Sequence, residues 1–332
     1  MNGIPVEQRP TLRLGDSGRD VVDLQRMLPR YDGAIDGDFG SITEDAVLEY
    51  QRSRGLDVDG IVGQQTWAAL YANKRPVRPA VPPQILTGVE QETIKQIADD
   101  SMIADYDWED RGLAPTGYTQ GMALAFATTY KKFKVGHPAV IEMAKARTNS
   151  DKDALNLYRD EFVSLGMSNE VSGIDTLRHL YVMMLGSGMR ESSGRHCEGR
   201  DMSADNVTAE TCEAGLFQTS YNAHSASDPD FTNLMDEYSS PFYASTCFLD
   251  AFAEDVKCSE SEWSNYGDGL GAQFQELCKV CPAFAVETHA LTLRNLCNHY
   301  GPCIRMEIEL RYEAELMFRR VQDFIDESEI GT

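Results

Sequence analysis

The chain has 332 residues, with 30 Lys and Arg against 53 Asp and Glu and a formal net charge of −23. That length exceeds what one hydrophobic core comfortably serves, so two or three folding units are expected. The acidic balance argues against nucleic acid as a partner, because phosphate binding draws on clustered Lys and Arg. No apolar run reaches the ~18 residues of a membrane span, and residues 1–15 have neither a basic n-region nor an apolar stretch, so neither an anchor nor an export signal is expected.

Residues 12–71 carry a short internal repeat. Asp36-Gly37-Asp38-Phe39-Gly40 leads to Thr43 and Ala46, and Asp59-Gly60-Ile61-Val62-Gly63 leads to Thr66 and Ala69. The glycines supply tight turns, each feeding a helix start. Ser41 with Glu44 reads as a capping box, and Ser17 with Asp20 as a weaker one. Leu24 and Leu28, then Ala46, Val47 and Tyr50, then Trp67, Leu70 and Tyr71 mark the apolar stripes of three short helices.

With Leu14-Gly15-Asp16-Ser17-Gly18, Val22, Leu24-Gln25 and Tyr50-Gln51 added, this segment resembles the small three-helix peptidoglycan-binding domain. The resemblance implies a module over residues 1–72 with a groove beside its Asp-Gly turns that holds a glycan-peptide ligand. Asp36, Gly37, Phe39, Gly40, Asp59, Gly60 and Trp67 are then its candidate contacts. Read singly, the same residues equally serve as the core and turns of a mini-domain. An acidic chain gains little long-range attraction to an anionic wall, so adhesion must rest on local contacts.

Residues 74–84 hold four prolines in eleven positions, which predicts a semi-rigid linker over 73–85. Beyond it, apolar residues at three- and four-residue spacing predict a mainly α domain over 86–332. Its expected helices cover 90–102, 116–132, 138–145, 151–165, 175–189, 284–298 and 306–325. The stretch 194–220 reads as an irregular loop, rich in Gly, Ser, Asp and Cys, of the kind that carries function.

All eight cysteines, Cys197, Cys212, Cys247, Cys258, Cys278, Cys281, Cys297 and Cys303, lie in the second domain. Their even number and clustering predict four disulfides and an oxidising site of action, with no pairing assigned. Cys278-Lys279-Val280-Cys281 is a lone C-x-x-C. The histidines, His137, His179, His196, His224, His289 and His299, show no metal spacing, so neither a metal nor another cofactor is expected.

Asp175 can cap a helix whose inner face runs Leu177, Leu180, Tyr181, Met184, Gly188 and Glu191. A carboxylate that continues a buried face is desolvated, and it falls in the last turn, where the negative end of the helix dipole acts in the same direction. Both raise its pKa, which suits a general acid, and Gly194 suits a left-handed cap. A helix-end Glu pairing with Arg190 or Arg195 is the plainer alternative.

The segments Gly188-Met189-Arg190-Glu191-Ser192-Ser193-Gly194 and Ala214-Gly215-Leu216-Phe217-Gln218-Thr219-Ser220 resemble the E-S and G-L-M-Q elements of goose-type lysozymes and lytic transglycosylases. The resemblance implies a lysozyme-like domain in which Glu191 is the acid and Gly215, Leu216, Phe217, Gln218 and Tyr221 shape the sugar groove. The tyrosine-containing element of transglycosylases has two candidates, Asn265-Tyr266-Gly267 and His299-Tyr300-Gly301-Pro302. A hydrolase needs a second group, for which Glu198, Asp201, Asp205 and Glu213 are candidates. Otherwise the substrate's 6-hydroxyl attacks and leaves an anhydro sugar.

The expected function is therefore cleavage of the β-1,4 MurNAc-GlcNAc bond of peptidoglycan at a secreted or periplasmic site. A chitinase-like glycosidase and a non-catalytic wall-binding or structural protein remain alternatives. A phage lysis enzyme, a secreted effector and a wall-remodelling enzyme all fit the layout. An effector would add secretion machinery or an immunity protein as partners.

Overall fold

The computed structural model describes residues 9–28, 31, 33, 35–54, 56–73, 85–147, 152–200, 208–225 and 229–330. The chain separates into two compact units, Met1–Ala80 and Val81–Thr332. Of the linker expected over 73–85, residues 74–84 lie outside the described residues.

The first unit contains α1 (Arg19–Met27), α2 (Ser41–Arg54) and α3 (Gln64–Asn73). They close over a core of Leu12, Val21, Leu24, Leu28, Phe39, Val47, Tyr50, Val62, Trp67 and Leu70. The two copies of the repeat are built by the same bonds. Gln25, buried at the end of α1, donates to the Asp36 carboxylate at 2.9 Å and accepts from the Gly37 N–H at 3.0 Å. Gln51 of α2 does the same to Asp59 at 2.9 Å and Gly60 at 3.0 Å. Each Asp carboxylate also accepts the N–H two residues on, at 2.9 Å, and these bonds hold both carboxyls below their usual pKa. Gly37 and Gly60 take φ values of 77° and 73°, where a side chain would be strained.

The cap assignments shift by one residue. Gly18, not Ser17, precedes α1 and offers no side-chain cap, while Ser17 bridges to Asp38 instead. Ser41 is already the first residue of α2, and the Glu44 N–H bonds to the Gly40 carbonyl at 3.0 Å.

The second unit is mainly helical. It contains α4 (Gly88–Asp99), the hairpin β1 (Asp107–Trp108) and β2 (Gly112–Leu113), then α5 (Thr116–Lys134), α6 (Pro138–Met143), α7 (Ala154–Leu157), α8 (Arg159–Ser164) and α9 (Ile174–Ser192). A second hairpin, β3 (Glu213–Ala214) and β4 (Thr219–Ser220), leads to α10 (Tyr221–Ser225), α11 (Pro229–Tyr238) and a 3₁₀ turn at Pro241–Thr246. The rest comprises α12 (Leu249–Phe252), α13 (Glu260–Trp263), α14 (Gly269–Val280), α15 (Pro282–Asn295), a 3₁₀ turn at Cys297–His299, α16 (Gly301–Ile304) and α17 (Tyr312–Ile330). Among the described residues no helix is long and apolar enough to cross a membrane.

Helix α5 packs against α4, α9, α12, α15 and α17. Helices α5, α9 and α15 are buried on nearly every face, so their polar residues are forced into the interior with them. There they pair: Lys132 with Glu287 at 2.7 Å, Arg178 with Glu315 at 2.8 Å, and Arg294 with Asp153 at 2.9 Å. Unpaired, any of these charges would cost several kcal/mol.

Several sequence expectations change here. The helix expected over 151–165 breaks at Tyr158 into α7 and α8. Gly173 caps α9, whereas Asp175 sits inside its first turn and pairs with Arg178 at 2.6 Å. Helix α17 starts later than expected, after Met306 takes a left-handed φ of 57°. Helices α10 to α14 fall where short elements and Gly, Ser and Cys obscured any period.

The eight cysteines make three disulfides among the described residues, not four: Cys197–Cys258, Cys247–Cys281 and Cys297–Cys303. Cys212 and Cys278 are buried thiols. Cys278 packs directly under Gly215 and acts as a small apolar core residue. Burial pushes both thiols up in pKa, so they are poor nucleophiles.

Replacing Gln51 by Ala should leave the Gly60 N–H without its partner and destabilise the first unit by about 1–3 kcal/mol. Hydrogen exchange of the full chain reads this as lost protection confined to residues 9–73, and unchanged protection would remove Gln51 from its role.

Candidate active site

Helix α9 runs through the core and surfaces at its C-terminal end. Gly186 and Gly188 allow this route, because a side chain at either would run into the Glu309 carbonyl or the Tyr118 hydroxyl. Tyr118 fills the space they leave and donates to the carbonyls of Met184 and Leu185 at 3.1 and 2.9 Å. The helix stops where Ser193 and Gly194 turn left-handed, with φ of 54° and 76°. The Gly194 N–H then closes back on the Gly188 carbonyl at 3.2 Å and the Ser193 N–H on the Met189 carbonyl at 3.1 Å, which satisfies the last turn. Glu191 is thereby fixed one residue before the end of a rigid helix.

The β3–β4 hairpin is fastened to this end. The Ser192 hydroxyl donates to the Leu216 carbonyl at 2.8 Å, and the Gly215 N–H donates to the Glu198 carbonyl at 2.8 Å. The Gln218 side chain turns back on its own loop, donating to the Gly215 carbonyl at 3.1 Å and more weakly to Glu198. Leu216 and Phe217 are buried, and the Phe217 ring stacks on His289 with centroids 4.1 Å apart. The pair thus packs inside the site's support rather than lining an open surface, because both side chains fill the core between α9 and α15. Gln218 and Tyr221 are the half-exposed members of the expected groove.

Glu191 is half-buried and hydrogen-bonded by the Tyr300 hydroxyl. That hydroxyl also lies 3.0 Å from Ser187 Oγ, which in turn lies 2.9 Å from His289 Nε2. Burial keeps His289 neutral, well below its usual pKa, so the chain behind Glu191 carries no positive charge. Burial raises the Glu191 pKa to about 7, and the nearby Glu213 carboxylate adds to the rise. The Tyr300 bond and the more distant Arg111 and Arg305 act against it. Among the described residues Glu191 has no ion-paired cation, unlike the fully buried Glu287, Glu315 and Asp153.

Of the four candidate second carboxylates, Glu213 is the one whose charge reaches Glu191. Glu198 is held by Arg195 at 3.2 Å, and Asp201 and Asp205 lie outside the described residues. Tyr300 contacts Glu191, whereas Tyr266 is covered by Arg200 at 4.7 Å. A cleft beside the helix end is lined by Trp108, Arg111, Met189, Arg190, Glu307 and Glu309. Its β1–β2 wall is anchored by Glu309, which accepts from the Tyr106 hydroxyl at 2.8 Å and the Glu109 N–H at 2.9 Å. Arg111 and Arg305 had no sequence signal, since their relation to Glu191 exists only after the chain has folded back on itself.

In the first unit Phe39 and Trp67 are core residues, with the Trp67 indole donating to the Pro10 carbonyl at 2.8 Å. Asp36, Gly37, Asp59 and Gly60 form the two glutamine-braced turns.

Residues 17–70 match the family described as "Putative peptidoglycan binding domain". The first unit is therefore a peptidoglycan-binding module, which implies interaction with peptidoglycan. The chain is 46% identical over 57 residues to N-acetylmuramoyl-L-alanine amidase CwlM of Mycobacterium tuberculosis, covering 16% of this chain and 14% of that protein. It is 42% identical over 66 residues to the zinc D-Ala-D-Ala carboxypeptidase of Streptomyces albus G, covering 18% of this chain and 26% of that protein. The chain thus spans only a small part of the length of either relative. Among solved structures it is similar to a Burkholderia AP3 phage endolysin, at 16% identity and a TM-score of 0.19, covering 95% of this chain and 100% of that one.

The raised Glu191 pKa carries a stability consequence of definite sign. Protonated Glu191 is favoured in the folded state, so folding takes up a proton between pH 4.5 and about 7 and stability falls as pH rises through that window. Relative to Glu191→Gln, the wild-type chain should lose at most on the order of 3 kcal/mol across it, less where water reaches the carboxylate. Urea unfolding of both chains at each end of the window measures the difference, and parallel curves would place Glu191 in solvent.

Proposed function

We propose that the chain cleaves the β-1,4 MurNAc-GlcNAc bond of peptidoglycan, with Glu191 as general acid. The observation that carries this reading is a single one. Glu191 is a desolvated carboxyl on a rigid helix end, paired to a phenol rather than a cation and titrating near 7. Such a group is protonated when it meets a sugar and gives up its proton as the glycosidic oxygen leaves, a task worth about 10²–10⁴-fold in rate.

Glu213 is the companion group. Its carboxylate can balance the positive charge that develops at the anomeric carbon or direct water to it, which is the hydrolytic outcome. If no water is directed, the muramyl 6-hydroxyl attacks and ionised Glu191 takes its proton. Tyr300 is a positioning residue: its hydroxyl acts on the Glu191 carboxyl and favours the ionised form over the neutral one.

The amidase and the carboxypeptidase match only 16% and 18% of this chain, so they support a place of action rather than a reaction. A module of this kind holds a catalytic unit near an insoluble polymer without adding contacts at the active site. Three disulfides fit action outside the reducing cytoplasm.

Digestion of purified wall followed by mass analysis separates the chemistries. Reducing-end muropeptides indicate hydrolysis, anhydro ends transglycosylation, and peptide-free strands amidase action, which would overturn the proposal. Glu191→Gln should lose about 10²–10⁴ of the glycan cleavage while still sedimenting with wall, and an active variant removes Glu191 from its role.

The pH profile gives an independent reading, with activity expected to decline above about 7. Tyr300→Phe should move that alkaline limb upward and Glu213→Gln should move it downward, because the two groups act on Glu191 in opposite directions. Shifts of the same sign would contradict the assigned geometry.

Deleting residues 1–85 should reduce activity on whole wall far more than on short soluble glycans. Equal loss on both substrates would assign the module another job.

A further inference from the structure

The Cys197–Cys258 disulfide lies against a histidine already arranged as a metal ligand. His196 Nδ1 sits 3.0 Å from the Lys279 carbonyl, which can only accept, so Nδ1 carries the ring proton and Nε2 presents its lone pair. Nε2 lies 3.8 Å from Cys258 Sγ, and Nε2 and the two sulfurs lie within 4.8 Å of one another. A tetrahedral zinc ion bound by imidazole and thiolate sets its nitrogen and sulfur about 3.6 Å apart. A backbone carbonyl on the far nitrogen is the usual partner that orients a metal-bound histidine.

The orientation of His196 does not depend on the disulfide. Lys279 donates to the carbonyls of Glu262, Trp263 and Ser264 at 2.9, 3.2 and 2.9 Å, which ties α13 to α14. Trp263 closes on the imidazole edge with ring centroids 5.6 Å apart, and Arg195 pairs with Glu262. His196 and Cys197 are buried, while Cys258 is half-exposed and open to a reductant or an ion. Among the residues whose side chains are described this is the one cluster of its kind.

We propose that, when this disulfide is reduced, His196, Cys197 and Cys258 bind one thiophilic divalent cation of the zinc class. A dithiol or phosphine supplies two electrons, and two protons accompany them to give two cysteine thiols. The metal then binds both as thiolates and releases two protons, with solvent in the fourth position. A disulfide oxidant takes two electrons from the two thiolates and two protons from solvent, leaving as two thiols, and the Cys197–Cys258 bond re-forms as the ion is released. Either link closes the same 61-residue separation and fixes Cys197, next to the Glu198 carbonyl that anchors the Gly215 turn. The metal thus holds this loop in a reducing compartment, where the disulfide cannot persist.

The test uses the full chain, a phosphine reductant and cobalt(II) as the spectroscopic probe. The reduced protein should bind one cobalt per chain with thiolate charge-transfer and tetrahedral ligand-field bands, and the oxidised protein none. His196→Ala should weaken binding at least about tenfold, the loss that even an outer partner of a metal ligand causes. Cys258→Ser, at the half-exposed ligand, should halve the charge-transfer intensity, whereas the Cys212→Ala/Cys278→Ala double variant should keep the full spectrum. Circular dichroism of each chain checks its fold. The proposal is overturned by absent bands in the reduced protein, unchanged affinity in His196→Ala, loss of the bands in the double variant, or a reduced chain that stays unfolded with one equivalent of metal. None of these outcomes bears on glycan cleavage, which is assayed in the oxidised protein.

Discussion

The second unit depends on one constraint: helices buried on nearly every face must find partners inside for the charges they carry. Helix α5 brings Lys132, α9 brings Arg178 and Ser187, and α15 brings Glu287, His289 and Arg294. The core accommodates them by pairing opposite charges, with Lys132 and Glu287 further bound to the Tyr238 hydroxyl at 3.4 and 2.9 Å. Glu191 is the exception. It lies on the same helix as Arg178, yet its close partner is the Tyr300 phenol. A protein interior that answers three buried carboxylates with cations and leaves a fourth with a phenol has kept the fourth able to carry a proton.

Support for that carboxyl comes from polar contacts of modest individual strength acting in series. Tyr300, Ser187 and His289 form a neutral chain behind Glu191, and Phe217 stacked on His289 joins the hairpin to it. On the other side Ser192 and the Glu198 carbonyl hold the Gly215 to Gln218 turn. The G-L-F-Q segment therefore contributes mainly as a brace. Leu216 and Phe217 are buried, and Arg111, Arg305 and Glu213 act on Glu191 through their charges.

The first unit solves a different problem with the same economy. A domain this small has few apolar residues to bury, and its core of ten residues is completed by two buried glutamines. Each glutamine satisfies the donors and acceptors of an Asp-Gly turn that would otherwise be lost to folding. The repetition of D-G-x-x-G-x-x-T is thus a repetition of a hydrogen-bonded corner. Its repeated aspartates serve the backbone of their own turns.

The sequence by itself determined the repeat and its glycine turns, the mainly helical second unit, the course of α5, α9 and α15 within a few residues, and the place of Glu191 at the end of an apolar stripe. These are local properties, written in three- and four-residue spacing and in glycines that relieve backbone strain. Pairing was not legible. Which six cysteines join, which tyrosine meets Glu191, which carboxylate acts on it and which cations flank it were decided only by the tertiary structure. Elements far apart in the chain meet there because buried helices pack where their shapes and charges match, and no local period records that match.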